Sequence, residues 1–387
     1  MKIVLPGATL GILGGGQLGR MFAIAAKQMG YRVVVLEPSL DSPCGQVADK
    51  VIAAPYADEK ALRELAEVSD VLTYEFENVD AGAVEFLERL GKPVHPSSKA
   101  LRITQDRILE KTFARDGGIP VTPFASVSSA QELESAMITV GFPAFLKTVR
   151  GGYDGKGQTR IENLEQGRQA FVEFAGRDLI LERLVPFVKE ISVVACRGLD
   201  GTFAAYPASE NIHANSILDI SIHPARVEKS TMDTGGEIAQ KVGEGLGIIG
   251  TFCVELFVLA DGSLLLNEIA PRPHNSGHAT IDACLCSQFE QQVRAICGLP
   301  LGSTELLRSA VMINLIGTGE GDQLQGVDQL LSYPDVALHL YGKTKAPKGR
   351  KMGHFTVLAA TADEAEKRAR ELQKILRWVP HPFAPSP

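Results

Sequence analysis

Short apolar runs at 10–13, 32–37 and 70–74 alternate with segments at 17–29, 58–68 and 79–90 whose apolar residues recur every three to four positions. Strands alternating with helices of that length imply βαβ units and a mostly parallel, doubly wound sheet. A helix over about 99–115 then leads to Gly117-Gly118-Ile119-Pro120, where the pattern changes. Runs at 145–148, 159–161, 179–182, 190–196, 202–205, 251–259 and 264–269 read as strands, several joined by short turns. That is an α+β pattern with an antiparallel sheet. Further strands are predicted at 310–316, 336–340 and 354–359, followed by a helix over about 363–376. Its acidic start and basic end suit the helix dipole.

Composition narrows the function classes. With 387 residues, 45% of them hydrophobic and 22% charged, the chain has material for two to four ordinary globular domains. Thirty-nine basic against 46 acidic residues give a net charge of −7, the wrong sign for a general nucleic-acid binder. Any bound anion therefore needs a local basic site. Cys44, Cys196, Cys253, Cys284, Cys286 and Cys297 form no CxxC pair, which argues against a zinc site or disulfide framework and fits a reducing cytoplasm. No apolar run is long enough for a signal peptide or a membrane span, so a cytoplasmic protein with no membrane partner is expected.

Gly14-Gly15-Gly16-Gln17-Leu18-Gly19 fits GxGxxG between a predicted strand and helix. Its amides can approach an anion at a helix N-terminus, and Glu37 ends the second strand about where dinucleotide folds place an acid for ribose. An NAD-binding dehydrogenase is one reading; a glycine turn serving packing or another ligand is the other. Tyr74-Glu75-Phe76-Glu77-Asn78 follows the third strand, at the carboxyl end of the sheet, where open α/β folds bind ligands. Its acids could orient an amine-bearing substrate, or be solvated beside a helix-capping Asn78.

Between a strand carrying Lys147 and a second strand lie Gly151, Gly152, Tyr153, Asp154, Gly155, Lys156, Gly157 and Gln158. A mobile hairpin with free amides and a lysine suits closure over phosphates, although it is not a P-loop. Glu182 and Glu190 flank a strand–hinge–strand segment that could meet a nucleoside. Arg272 and His274, in Ala270-Pro271-Arg272-Pro273-His274, could stabilise charge at a reacting centre, whereas His278 reads as structural. Lys343, Lys345, Lys348, Arg350 and Lys351 reverse the local charge sign and suggest a phosphate clamp.

The segment 251–269 carries the sharpest physical argument. Taking Asp261-Gly262 as a two-residue turn and pairing outward sets Phe257 against Leu266 and Glu255 against Glu268. The two carboxylates then share one face with Cβ atoms ~5 Å apart. Apolar residues surround them, so a buried pair is expected, and buried like charges need a cation between them or a proton on one. Oxygen donors with Asn267 adjacent suit Mg²⁺ bridging nucleotide phosphates.

Lys147, the glycine loop, the 182–190 hinge and the Glu255/Asn267/Glu268 group stand in the order that resembles the ATP-grasp superfamily. Within it the chain is similar to the N5-carboxyaminoimidazole ribonucleotide synthetase (PurK) family of purine biosynthesis. The likeness rests on GILGGGQLGRM at 11–21, YEFENV at 74–79, RGGYDGKGQ at 150–158, ENIHANSILD at 210–219, NEIAPRPHNSGH at 267–278 and GKTKAPKGRKMGH at 342–354. One departure is Lys156, where many members carry arginine, which keeps the charge but loses the fork geometry.

The resemblance implies an ATP-grasp fold with a Rossmann-like substrate domain over 1–116, a lid subdomain over 117–186 and a metal-bearing core with C-terminal domain over 187–387. It implies that ATP and bicarbonate form carboxyphosphate, which carboxylates the amine of 5-aminoimidazole ribonucleotide. It places ATP on Arg107, Lys147, Gly152, Tyr153, Asp154, Gly155, Lys156, Gly157, Gln158, Glu182, Arg183, Leu184, Val185, Glu190, His213, Asn267 and Glu268. Magnesium falls on Glu255 and Glu268. Tyr153, Asp154, Lys156, Arg272 and His274 surround the bicarbonate and the amine. Gly16, Gln17, Leu18, Glu75, Asn78, Lys343 and Arg350 hold the ribonucleotide, and a homodimer is implied. A related ligase, such as formate-dependent glycinamide ribonucleotide transformylase or biotin carboxylase, would share the metal pair and lid but not the 342–354 loop. A non-catalytic nucleotide-binding regulator would have no need of retained metal ligands.

Overall fold

The computed structural model describes residues 3–152, 155–174 and 176–380. The alternating pattern folds into β1 (Thr9–Leu13), α1 (Gln17–Gln28), β2 (Arg32–Leu36), β3 (Lys50–Ile52), α2 (Glu59–Val68), β4 (Val71–Tyr74) and α3 (Ala81–Arg89). The strands form a parallel sheet in the order β3-β2-β1-β4. Their Val, Ile and Leu side chains are buried on both faces, as helices on both sides require.

The single helix expected over 99–115 is two: α4 (Ser98–Thr104) and α5 (Arg107–Asp116). Asp106 causes the break, because its carboxylate accepts from the amides of Ile108 and Leu109, both at 3.1 Å, and starts a new helix. That restart swings Arg107, Glu110 and Lys111 of α5 toward the core sheet.

Next come β5 (Phe124–Val127), α6 (Ala130–Val140), β6 (Ala144–Thr148), β7 (Gln158–Ile161), α7 (Leu164–Glu173) and β8 (Leu179–Arg183). They form a small antiparallel sheet, β5-β8-β6-β7, covered by α6 and α7. The core follows with β9 (Lys189–Arg197), β10 (Phe203–Ala205), β11 (Ser209–Ala214), β12 (Ile217–His223), α8 (Lys229–Gly245), β13 (Gly250–Val258), β14 (Leu264–Ala270), α9 (Thr280–Ala283) and α10 (Gln288–Ile296). The chain closes with β15 (Ser309–Ile316), β16 (Gln323–Gln325), α11 (Val327–Leu330), β17 (Val336–Leu340), β18 (Lys351–Ala359), α12 (Ala362–Gln373) and β19 (Arg377–Val379). One large antiparallel sheet runs β14-β13-β9-β11-β12-β15-β18-β17, with β10 added beside β9.

Two contacts position the site. Phe289, Val293 and Ile296 of α10 share an apolar cluster with Phe22 and Ala26 of α1, locking the parallel-sheet unit onto the core. Phe252, Val254 and Leu256 of β13 pack with Ile238 and Val242 of α8, which leaves the opposite face of β13 for Glu255 and Phe257.

Candidate active site

Glu255 of β13 does stand opposite Glu268 of β14, but by a different route from the one expected. The turn is one residue longer: the Leu259 amide donates to the Ser263 carbonyl at 2.9 Å around Ala260, Asp261 and Gly262. Gly262 takes φ +83°, the left-handed residue that a three-residue loop of this kind needs. The longer turn pairs Phe257 with Leu265, not Leu266. A β-bulge at Asn267 then shifts the register by one, so Glu255 meets Glu268 after all. Nor is the pair fully buried: the side chains are 24% and 41% exposed, because they form the floor of a cleft.

That cleft has a volume of about 550 Å³. Around it the chain gathers cations. The Lys147 ammonium of β6 lies 3.0 Å from the Glu182 carboxylate of β8, and Lys111 of α5 approaches the same oxygen at 3.6 Å. Glu182 is deeply buried, yet these lysines outweigh the cost of burial and hold its pKa at about 2. Arg107 lies 3.5 Å from Glu268. The His274 Nε2 lies 2.9 Å from the Glu255 carboxylate, and its Nδ1 lies 2.9 Å from the Ser276 hydroxyl. Burial opposes charge on His274, but its contacts with Cys253 and Glu255 raise its pKa to about 10. Glu190 and His213 pair at 2.6 Å on the same wall. Burial also opposes charge on His213, and the hydrogen bond and charge of Glu190 prevail to raise its pKa. Arg272 is ion-paired with Glu77; burial works against that carboxylate, but the guanidinium holds it at about 2.

The N-terminal glycine turn does hold an anion at a helix N-terminus, and the anion is the chain's own. The Glu75 carboxylate accepts from the amides of Gly16 and Gly19, the latter at 2.7 Å. A Cβ on Gly16 would sit 2.4 Å from that carboxylate, so only glycine permits the approach. Glu37 accepts from the Gly15 amide at 2.8 Å and from the Tyr56 hydroxyl. The amides and the acid that an NAD site would need are therefore already engaged by the chain itself. Beside this turn, Lys343 reaches across from the basic loop and donates to the Gln17 side chain at 2.7 Å. The loop is tied down nearby, where Gln46 donates to the Gly342 carbonyl at 2.8 Å.

Three family models cover most of the chain in order. They are the ribonucleotide synthetase preATP-grasp domain over 7–105, the ATP-grasp domain over 112–289 and the phosphoribosylaminoimidazole carboxylase C-terminal domain over 310–368. The N5-carboxyaminoimidazole ribonucleotide synthase of Bacillus subtilis (strain 168) is 48% identical over 366 residues, covering 94% of this chain and 94% of its own. The chain belongs to the N5-carboxyaminoimidazole ribonucleotide synthase family. Another member, from Brucella melitensis biotype 1, is 46% identical over 353 residues, 91% of this chain and 96% of its own. Among solved members of the N5-carboxyaminoimidazole ribonucleotide synthase family, an ADP complex of purK aligns at a TM-score of 0.91 with 44% identity, over 96% of this chain and 98% of that one. The Aspergillus clavatus enzyme in complex with ADP and 5-aminoimidazole ribonucleotide aligns at 0.87 with 33% identity, over 95% of this chain and 98% of that one.

In this member of the N5-carboxyaminoimidazole ribonucleotide synthase family, the cleft brings together Arg107, Lys147, Gly155, Lys156, Gln158, Glu182, Arg183, Leu184, Val185, Glu190, His213, Glu255, Asn267, Glu268, Arg272 and His274. Gly152 and Gly157 adjoin it: the Gly152 carbonyl faces Arg107 at 3.5 Å, and the Gly157 carbonyl accepts from the Thr148 amide. Tyr153 and Asp154 lie outside the described residues. Gly16, Gln17, Leu18, Glu75 and Lys343 assemble apart from the cleft, around the glycine turn. Arg350 and Asn78 are exposed, and Asn78 is not a cap, because Asp80 caps α3.

Sequence reasoning missed the aromatic part of the apolar wall, where Phe145 adjoins Phe187 stacked on Phe257 at 4.6 Å. A signal existed for Phe257, which is two residues from Glu255 and so on the same strand face. It also missed Glu77 as the partner of Arg272. Lys111 was missed too, although a lysine four residues after Arg107 shares its helix face.

Proposed function

We infer that this chain is an ATP-dependent ligase that uses bicarbonate to carboxylate the amine of 5-aminoimidazole ribonucleotide. The products are N5-carboxyaminoimidazole ribonucleotide, ADP and phosphate, in purine biosynthesis. One observation carries the reading. A single short segment joins two subsites: Glu75 binds the glycine turn beside Lys343, and Glu77, two residues on, holds Arg272 of the cleft. A phosphoryl acceptor and a ribonucleotide amine can therefore meet where Arg272 stands.

ATP fits the cleft with its base against Phe145, Leu184, Phe187 and Phe257, its ribose by Glu190 and His213, and its phosphates by Lys147, Arg107 and the lid residues Gly155, Lys156 and Gln158. The floor suits a divalent cation. Two carboxylates in register would repel, Arg107 and His274 each balance one from the side, and the oxygen donors with Asn267 adjacent are those of a magnesium site. Glu255 and Glu268 would hold Mg²⁺, which when bound neutralises phosphate charge.

A bicarbonate oxygen attacks the γ-phosphorus and ADP departs, leaving carboxyphosphate. The amine then bonds to the carboxyl carbon, phosphate departs, and the amine loses its proton. Arg272 supplies positive charge, and Arg272 and His274 supply hydrogen-bond donors, to the oxygens on which negative charge develops, in a site positioned before the reaction begins. The family resemblance adds Lys156, Tyr153 and Asp154 to this group. Glu75, Gln17 and Asn78 orient the ribonucleotide, with Lys343 and Arg350 on its phosphate.

The deciding measurement is ADP release with and without 5-aminoimidazole ribonucleotide plus bicarbonate. Strong stimulation by the pair is expected; its absence would refute the substrate and leave only an ATP-dependent ligase. The family resemblance implies a homodimer and the unpaired cysteine pattern fits a reducing cytoplasm; sedimentation at assay concentration tests the dimer.

A further inference from the structure

β14 is the edge strand of the large sheet, so every second backbone group points away from β13. Outward amides in a regular strand are two residues apart. Here they are three apart: the Leu266 amide donates to the Pro120 carbonyl at 2.8 Å, and the next outward amide is that of Ile269. The Asn267 bulge accounts for the extra residue. Without it, continued pairing in the Leu256–Leu266 register would set Glu255 opposite Asn267. Glu268 would then turn to the far face, away from the cleft.

The outward groups beside the bulge are taken up by two consecutive residues of α5. The Ile269 amide donates to the Glu110 carboxylate at 2.7 Å, and Lys111 donates to the Asn267 carbonyl at 3.1 Å. Both side chains are 1% exposed, a costly location for two ionisable groups that only specific partners can repay. Lys111 is fixed in turn by Glu182 at 3.6 Å. A strand without the bulge would turn the Asn267 carbonyl inward toward β13 and take from Lys111 its acceptor, while the Glu268 amide would come outward to Glu110 in place of that of Ile269.

We propose that Lys111 is a positioning residue which, with Glu110 seating the strand beside it, holds the bulged register of β14 and thereby keeps Glu268 opposite Glu255. The proposal rests on the reading that those two glutamates hold a divalent cation, and its test separates the two. The variants are Glu110→Ala, Lys111→Met, Glu110→Gln, whose amide oxygen can still accept from Ile269, and Glu268→Gln. Two quantities are measured on the full chain: hydrogen exchange of the segment 264–270 without metal, and Mn²⁺ affinity in the presence of ADP by electron paramagnetic resonance.

Glu110→Ala and Lys111→Met should each speed exchange in that segment and weaken Mn²⁺ roughly tenfold, the loss expected for one buried hydrogen bond left unmade. Glu110→Gln should stay near wild type in both. Wild-type exchange in the alanine and methionine variants, or a glutamine variant as impaired as the alanine one, overturns the clamp. If Glu110→Ala does not fold, Lys111→Met and Glu110→Gln carry the same comparison. Wild-type Mn²⁺ affinity in Glu268→Gln would refute the metal reading instead, and exchange alone then decides the clamp.

Discussion

In the proposed function Lys343 brings a charge to the ribonucleotide from a half-buried position. Burial, and then the neighbouring Arg350, push its ammonium down to about 8. It is charged below that pH and neutral above it, so affinity for a dianionic phosphate should fall as pH rises through about 8. The measurable outcome is kcat/KM for the ribonucleotide, which should decline above pH 8 in the wild type. In Lys343→Arg, whose guanidinium stays charged, the decline should disappear. An identical decline in both would refute this role. Glu268 gives a second prediction at this scale. Its side chain is partly exposed, so Glu268→Ala should keep the far-ultraviolet circular dichroism of the wild type. ATP turnover should fall roughly 10³-fold, the size expected when a preorganised charge partner leaves the reacting phosphates. Turnover within a few-fold of wild type would rule out Glu268 as a metal ligand.

At the scale of elements, the β13–β14 hairpin shows how sequence reasoning can reach a correct pair through two cancelling errors. Local turn propensity picks out Asp261-Gly262, yet a two-residue and a three-residue loop differ only in whether Ala260 joins them. The bulge at Asn267 had no local signal, because its partners Glu110 and Lys111 lie more than 150 residues away. The same distance problem hid the occupant of the glycine turn: the amides were legible as an anion site, but Glu75 is 56 residues from Gly19. Parallel and antiparallel patterning, in contrast, is a local periodicity and was legible in both halves. Helix breaks follow side-chain caps, and Asp106 is such a cap. Asp106→Ala should therefore cost about 1–2 kcal/mol, read as a lower urea midpoint at unchanged slope. Gly262→Ala, forced into a left-handed conformation, should cost about 1–2 kcal/mol by the same measurement.

Across the whole molecule, the net charge of −7 conceals a polarised arrangement. The basic loop arrives from one end of the chain and the glycine turn from the other; Lys343 and Gln17, 326 residues apart, meet at 2.7 Å. The docking of α10 on α1 makes that meeting possible, since Phe289 and Val293 share one core with Phe22. An acidic body repels an anionic ribonucleotide at long range, so in the proposed function capture depends on the local field of Lys343, Lys345, Lys348 and Arg350. The last three are solvent-exposed and open to screening, whereas Lys343 is sheltered. Raising salt from about 0.05 to 0.5 M shrinks the screening length severalfold. It should raise the KM for the ribonucleotide in the wild type and leave much less salt dependence in a Lys345→Ala/Lys348→Ala/Arg350→Ala variant. The KM for ATP, whose proposed partners Lys147 and Arg107 are sheltered, should move less in both proteins. Equal salt dependence of the two KM values, or an unchanged slope in the triple variant, would mean that the exposed cations of the loop take no part in drawing the substrate in.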